Sequence, residues 1–270
     1  MKPTLDYVRF ATWKTAAYAE VMAQISRDYP LDGHKSNFLQ YRGTRYGAYG
    51  QLFAGRAMQA GKEHYIIHNS GFTSHDFYAA YDFDWPWYCT RIDLEVTLPM
   101  PSWFYDDDFE AQLAAMRDIT EISSPSGRTV YFGKRTSGRM VRLYTKTLDD
   151  TRYLRCELEL KKSYAQIAHQ ILGAPEQDNE ELRIYQHHLE AMQLPYTLRE
   201  YFTGNSSPTD ENIGKLLKRK EADNRLGWFQ SIVPGIERMM MDHDIGSTTR
   251  AIIFALNEIA TIREAGESAQ

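Results

Sequence analysis

The sequence predicts an α+β chain: an antiparallel sheet domain over residues 1–162, followed by an all-helical C-terminal region over 163–270. Three observations carry this. Several segments alternate apolar and polar residues with the period of two that marks half-buried strands. Tight turns join consecutive strands, most clearly in Thr129 to Leu160, TVYFGKRTSGRMVRLYTKTLDDTRYLRCELEL. After Lys162 the texture changes to helical spacing.

The elements follow in order. Asp6 to Trp13 alternates like a strand, and Lys14 to Asp28 reads as a helix that stops at Pro30. Phe38 to Ile67, rich in Tyr, Gly, Phe and Ile, reads as strands with glycine turns. Cys89 to Leu98 is a strand that ends at Pro99, and Phe109 to Glu121 is a helix. Thr129 to Leu160 forms a three-strand meander. Written out, the order is β-α-β-β-β twice, which predicts two related halves at roughly 5–70 and 88–161, although their sequence likeness is too faint to count as a repeat. The helices are Ser163 to Leu172, closed by Gly173-Ala-Pro175, and Asn179 to Met192, ending near Pro195. Ser207-Pro208-Thr209-Asp210 starts another, with a Ser cap, Pro at the first helical position and an acid three residues after the cap. Gly227 to Asp242 contains Pro234, which divides or kinks it. Thr248 to Glu264 carries an apolar face on Ile252, Ile253, Leu256, Ile259 and Ile262.

At 270 residues the chain can bury a sizeable core. Two cysteines, Cys89 and Cys156, make no disulfide framework and read as small buried hydrophobes. No apolar run is long enough for a membrane span, and MKPTLDYVRF lacks a signal peptide's apolar core, so no membrane partner and a cytoplasmic location are expected. The net charge of −5 argues mildly against nucleic acid, but total charge hides distribution. Arg128, Lys134, Arg135, Arg139, Arg142 and Lys146 form a basic run without an acid. A second basic cluster holds Lys215, Lys218, Arg219, Lys220 and Arg225.

The strands carry the chemistry. Side chains two apart on a strand share a face, about 6.6 Å from each other. Arg91, Asp93 and Glu95 therefore oppose Ile92, Leu94 and Val96. Arg155, Glu157 and Glu159 oppose Cys156, Leu158 and Leu160. Arg142, Tyr144 and Lys146 oppose Val141, Leu143 and Thr145. Paired, these strands present one ionisable surface and one apolar face. Gathered carboxylates repel by several kcal/mol at an effective dielectric of about 20, and a divalent cation relieves that. Oxygen ligands favour Mg²⁺ or Mn²⁺ over zinc. Such an ion beside a tyrosine suits phosphodiester chemistry, with Arg142, Lys146 or Arg155 lowering the tyrosine's pKa or holding phosphate oxygens.

Other motifs lead nowhere. His64 and His68 lie about 13 Å apart on a strand, too far to share a metal. His187 and His188 point apart on a helix. GKRTSG lacks the phosphate-loop order, and there is no zinc-finger spacing and no G-x-S-x-G. The aromatic segment Tyr81 to Tyr88 can stack unpaired bases, but a core or loop anchor is its expected role.

Read together, the residues resemble the rolling-circle replication initiators of plasmids and phages, the replication initiation factor group, with its relaxase relatives of conjugative elements. The resemblance runs through Leu5-Asp6-Tyr7, the glycine-rich Tyr46 to Gly55, Ile67-His68-Asn69-Ser70-Gly71, Arg91-Ile92-Asp93-Leu94, the hairpin Thr129 to Lys146 and Arg155 to Leu160. It implies a metal-dependent tyrosine endonuclease and strand transferase that nicks and rejoins origin DNA through a 5′-phosphotyrosine, freeing a 3′-OH primer. Tyr144 takes the nucleophile's place. Arg142, Lys146 and Arg155 are its expected catalytic companions, and Asp93, Glu157 and Glu159, with Glu95, the candidate ligands of Mg²⁺ or Mn²⁺. Two departures stand out: Thr97 where the family commonly has an acid, and Thr145 after the tyrosine. Arg91, Lys134, Arg135, Arg139, Lys215, Lys218, Arg219 and Lys220 are the expected DNA contacts, with a host helicase as a further partner and a homodimer as a plausible assembly. Two other readings stay open: a DNA-binding protein without catalysis, such as a repressor or decayed initiator, and an α+β protein whose charged sheet face is merely solvated.

Overall fold

The computed structural model describes residues 2–28, 31–33, 39–44, 50–59, 62–71, 74–81, 83, 86–125, 127–173, 179–204, 213–215 and 217. Ten strands form one sheet: β1 (Thr4–Thr12), β2 (Leu31–Gly33), β3 (Leu39–Thr44), β4 (Gly50–Gln59), β5 (Lys62–Gly71), β6 (Tyr88–Pro99), β7 (Ile119–Ser124), β8 (Gly127–Phe132), β9 (Arg139–Leu148) and β10 (Thr151–Lys161). Their order is β2-β3-β4-β5-β1-β6-β10-β9-β8-β7, and every pairing is antiparallel. β1 and β6 lie side by side at the centre. On each side of that pair, the first strand of a consecutive run of five lies beside the last. The α+β expectation with an antiparallel sheet therefore holds.

The helices are α1 (Thr15–Asp28), α2 (Ser74–Ala80), α3 (Asp107–Ala114), α4 (Ser163–Leu172), α5 (Glu180–Ala191) and α6 (Tyr196–Thr203). α1, α2, α4 and α5 pack on the sheet. The apolar strand rows lie beneath: Val8 and Phe10 on β1, Ile92 and Leu94 on β6, Leu158 and Leu160 on β10 are all fully buried. Phe83 stacks on Phe10 with ring centroids 3.9 Å apart, and Tyr81, Phe83 and Trp87 are buried, so this aromatic segment anchors the core. Cys89 and Cys156 are free and buried. Tyr185 of α5 donates from its hydroxyl to the Cys156 carbonyl at 3.1 Å.

Three expectations shift. The helix expected over Phe109 to Glu121 ends at Ala114, because Asp118 takes a left-handed backbone turn and Ile119 to Ser124 pairs with β8 as an edge strand. α2 and α6 have no counterpart among the expected helices. The compact unit does not stop at 162: it runs from Met1 to Gly214, because α4 and α5 cover the sheet. A second unit spans Lys215–Gln270. The helices expected over Gly227 to Asp242 and Thr248 to Glu264 lie outside the described residues, as do Ser207 to Asp210 and Tyr46 to Tyr49. No described helix is long and apolar enough to cross a membrane.

Two local features set the geometry of the β8–β10 strands. Asp149 and Asp150, both at positive φ (47° and 62°), make a two-residue turn between β9 and β10, the geometry that matches strand twist. That turn fixes the register, setting Tyr144 opposite Arg155 and Arg142 opposite Glu157. Gly138 lies against the Tyr164 ring, 2.5 Å from where a Cβ would stand, so a side chain there would push the β8–β9 connection off α4.

Candidate active site

The sheet face opposite the helices carries the ionisable rows of β6, β9 and β10. Glu157 is at the centre, opposite Glu95 on β6 and Arg142 on β9. It is 3% exposed. The Tyr144 hydroxyl donates to Glu157 Oε1, and the Arg142 guanidinium donates to Oε2. Arg142 also stands over the Tyr144 ring, 5.1 Å from its centroid. Arg155 pairs with Glu95, lies 4.0 Å from Glu157, and donates from Nε to Thr97 Oγ1 at 2.8 Å. Lys146, next in the row after Tyr144, has its pKa lowered by burial and by Arg155, while Glu95, Asp6 and Glu157 oppose the shift.

One acid here was missed by sequence reasoning. Asp6 joins Glu95 and Glu157, with one carboxylate oxygen from each within 4.8 Å of the others. Unbroken alternation from Asp6 to Trp13 would put Asp6 with Val8 and Phe10, on the apolar face. A bulge between Leu5 and Tyr7, where β1 pairs with β6, shifts the alternation and turns Asp6 towards the charged face. Three carboxylates at that spacing repel by about 3–4 kcal/mol per ionised pair at an effective dielectric of about 20. Burial, then the Glu157 charge, raises the pKa of Asp6. Burial, then Asp6, pushes Glu95 up to about 7. An all-oxygen donor set of this compactness suits a hard divalent cation.

The four candidate ligands are thus divided. Glu95 and Glu157 stand with Asp6. Asp93 and Glu159 form a second group, held by cations: Arg91 Nε donates to Asp93 at 2.8 Å, Arg91 lies 2.7 Å from Glu159, and Lys161 lies 2.6 Å from Glu159. Asp93 is 3% exposed, and burial pushes its pKa up to about 7 against the pull of Arg91. Arg91 also covers the Tyr7 ring at 4.5 Å.

The tyrosine is not activated as expected. Burial and the Glu157 charge raise the Tyr144 pKa and outweigh Arg155 and Arg142. Its proton is held on the hydroxyl, with Glu157 already placed to accept it.

The expected DNA contacts separate. Arg135 is exposed and stands over Tyr131 at 5.6 Å, on the charged face. Lys134 is exposed and pairs with Asp118 at 3.1 Å. Arg139 points the other way, because β9 alternation puts it with Val141 and Leu143: it donates to the Ala191 carbonyl at 3.2 Å and covers Tyr164. Arg128, part of the same basic run, lies on the helix side too, buried against Glu110 and Glu121. Lys215 is exposed and belongs to the second unit, while Lys218, Arg219 and Lys220 lie outside the described residues.

No family model matches the chain, and no curated protein matches it. Among solved structures, DynU16, a protein of the dynemicin biosynthetic locus, is similar at a TM-score of 0.18 and 10% identity, covering 74% of this chain and 94% of that chain. At that level the likeness carries no argument.

Proposed function

We propose that the protein is a metal-dependent DNA nicking and joining enzyme, a rolling-circle replication initiator or relaxase that works through Tyr144. The observation that carries this is the Tyr144 hydroxyl bonded to Glu157, a carboxylate that also belongs to the Asp6, Glu95, Glu157 cluster. The ordered strand motifs that resemble replication initiation factors support the same reading. So does the strand order, in which β1–β5 and β6–β10 are arranged alike about the central pair, consistent with two related halves of one ancestral unit.

On this reading Glu157 accepts the Tyr144 proton as the phenolic oxygen attacks the scissile phosphorus. The bond from phosphorus to the 3′ oxygen breaks, the 3′ oxygen leaves and takes a proton from water, and the 5′ phosphate stays on Tyr144. Attack by a 3′-OH on that phosphotyrosine reverses the sequence and rejoins the strand. Arg142 and Arg155 flank the tyrosine and stabilise negative charge on the transferring phosphate. Mg²⁺ or Mn²⁺ held by Asp6, Glu95 and Glu157 would polarise the phosphate and offset the charge of the carboxylates. Origin DNA, a host helicase and a second copy of the chain are the partners this function implies.

The test is incubation with supercoiled plasmid bearing the cognate origin and Mn²⁺. Wild-type protein forms a covalent protein–DNA adduct that denaturing gels and mass spectrometry place on Tyr144. Tyr144→Phe forms none while still binding the DNA. An undiminished adduct in that variant would falsify the assignment. A second reading, a DNA-binding protein without catalysis, is favoured by one observation: Thr97, where the resemblance leads one to expect an acid, is engaged by Arg155. It predicts origin binding with no adduct in any metal.

A further inference from the structure

We infer that two adjoining cavities, the first lined by the Arg142 and Glu157 that contact Tyr144, form a subsite for one unpaired nucleotide of single-stranded DNA, the first taking a phosphate and the second its base. The inference rests on the nicking function proposed above and deepens it. The first cavity, about 360 Å³, has Asp93, Glu157 and Glu159 as its floor. Its rim is Arg91, Arg135, Arg142 and Lys161. The floor acids are 3%, 3% and 9% exposed, so they act on the rim more than on solvent. Their ion pairs hold Arg91, Arg142 and Lys161 in place. Lys161 also donates to the Arg135 carbonyl at 2.6 Å, tying the β8–β9 connection to β10. The outward face is a preorganised cationic rim, complementary to a phosphate. Glu157 ties it to the nucleophile, since the same carboxylate accepts the Tyr144 hydroxyl.

The second cavity, about 440 Å³, lies across a partition of Tyr131, Arg135 and Met140, which line both spaces. Its other walls include Ile119 and Ile122, and Ile122 is 51% exposed. An open apolar wall on the edge strand, reached over a cationic rim, has the polarity sequence of a nucleotide: charge first, flat apolar ring next. Arg135 already stands over Tyr131 at 5.6 Å, so the partition offers a ring and a guanidinium plane for stacking. Unpaired strands fit and duplexes do not, because a base inside the double helix cannot leave its stack without an unstacking cost.

The experiment measures binding of the full chain, at low salt without metal, to a fluorescent oligothymidylate and to an abasic oligomer of the same length. Tyr131→Leu weakens oligothymidylate binding on the order of 10-fold and leaves abasic binding unchanged. Ile122→Glu, at an exposed position that folding tolerates, repeats this pattern. Arg135→Gln weakens both oligomers. Equal losses on both oligomers for Tyr131→Leu, or no loss, overturn the base subsite. If wild-type protein forms the Tyr144 adduct on plasmid DNA yet binds the two oligomers equally, the subsite is wrong and the nicking function stands. If it forms no adduct and binds neither, the nicking function fails and the subsite with it.

Discussion

Glu157 shows how much a single residue must do in this site. It accepts from Tyr144 and Arg142 and belongs to the oxygen cluster with Asp6 and Glu95. The division of acids into two groups makes a direct prediction. Asp6→Asn should weaken Mn²⁺ binding by about 10-fold or more, while Asp93→Asn changes it little, as read by isothermal titration calorimetry. The reverse ranking would return the ion to the Asp93–Glu159 side. The buried acids also make stability depend on pH. Asp93 and Glu95 both have folded pKa values pushed up to about 7, above their ordinary range. The folded state keeps protons that the unfolded chain releases. Their contribution to stability is full at low pH and is lost as pH rises through about 7. The Tm of metal-free protein should therefore fall between about pH 5 and 8, and Mn²⁺ should restore the part due to Glu95. A Tm that rises over that window without metal would contradict the burial argument. Strand alternation made Tyr144, Arg142 and Glu157 legible in the sequence, because their rows are regular. Asp6 was hidden, because a one-residue bulge reverses a face without a sequence mark.

At the scale of elements, the basic run from Arg128 to Lys146 shows where linear charge misleads. Alternation divides it: Arg135 and Arg142 stand on the charged face, Arg139 and Arg128 on the helix side. Arg128 donates to the Phe104 carbonyl at 3.0 Å and pairs with Glu110 and Glu121, joining α3 to β7 and β8. Both acids are about 40% exposed or more, so water can serve them once the arginine is gone. Arg128→Met should cost about 2 kcal/mol in urea unfolding, the loss of charged hydrogen bonds, and leave intact the DNA affinity that the proposed function requires. A drop in DNA affinity without a drop in stability would instead make Arg128 a DNA contact. The β9–β10 hairpin was readable from its two alternating strands and the tight turn between them. β7 was not, since Ile119 to Ser124 continues the polar and apolar texture of the helix before it, and only pairing with β8 makes it a strand.

Across the whole molecule, the change of texture at Lys162 was legible but does not bound the compact unit, which continues to Gly214. Tyr185, Ile184 and Leu189 of α5 and Ala165 and Ile167 of α4 are buried, and these helices lie on β6 and β10. A chain cut after Lys162 should expose that face and aggregate, whereas a chain cut after Gly214 should keep a cooperative thermal transition, measured by circular dichroism. A soluble, folded 1–162 fragment would refute this. Amphipathic spacing in α4 and α5 signals an apolar face but not its partner, which is why the sequence pointed to a separate helical region. The sheet order also bears on synthesis. β1, synthesised before every other strand of the sheet, ends at its centre, between β5 and a strand that begins at Tyr88. Its charged side is closed only when Glu95 and then Glu157 arrive. A nascent chain therefore carries no complete cluster until β10 has emerged, and a product that ends before Glu157 has none. If the protein nicks DNA as proposed, fragments without β10 should be inactive, because the cluster requires the first strand of the sheet to meet its last.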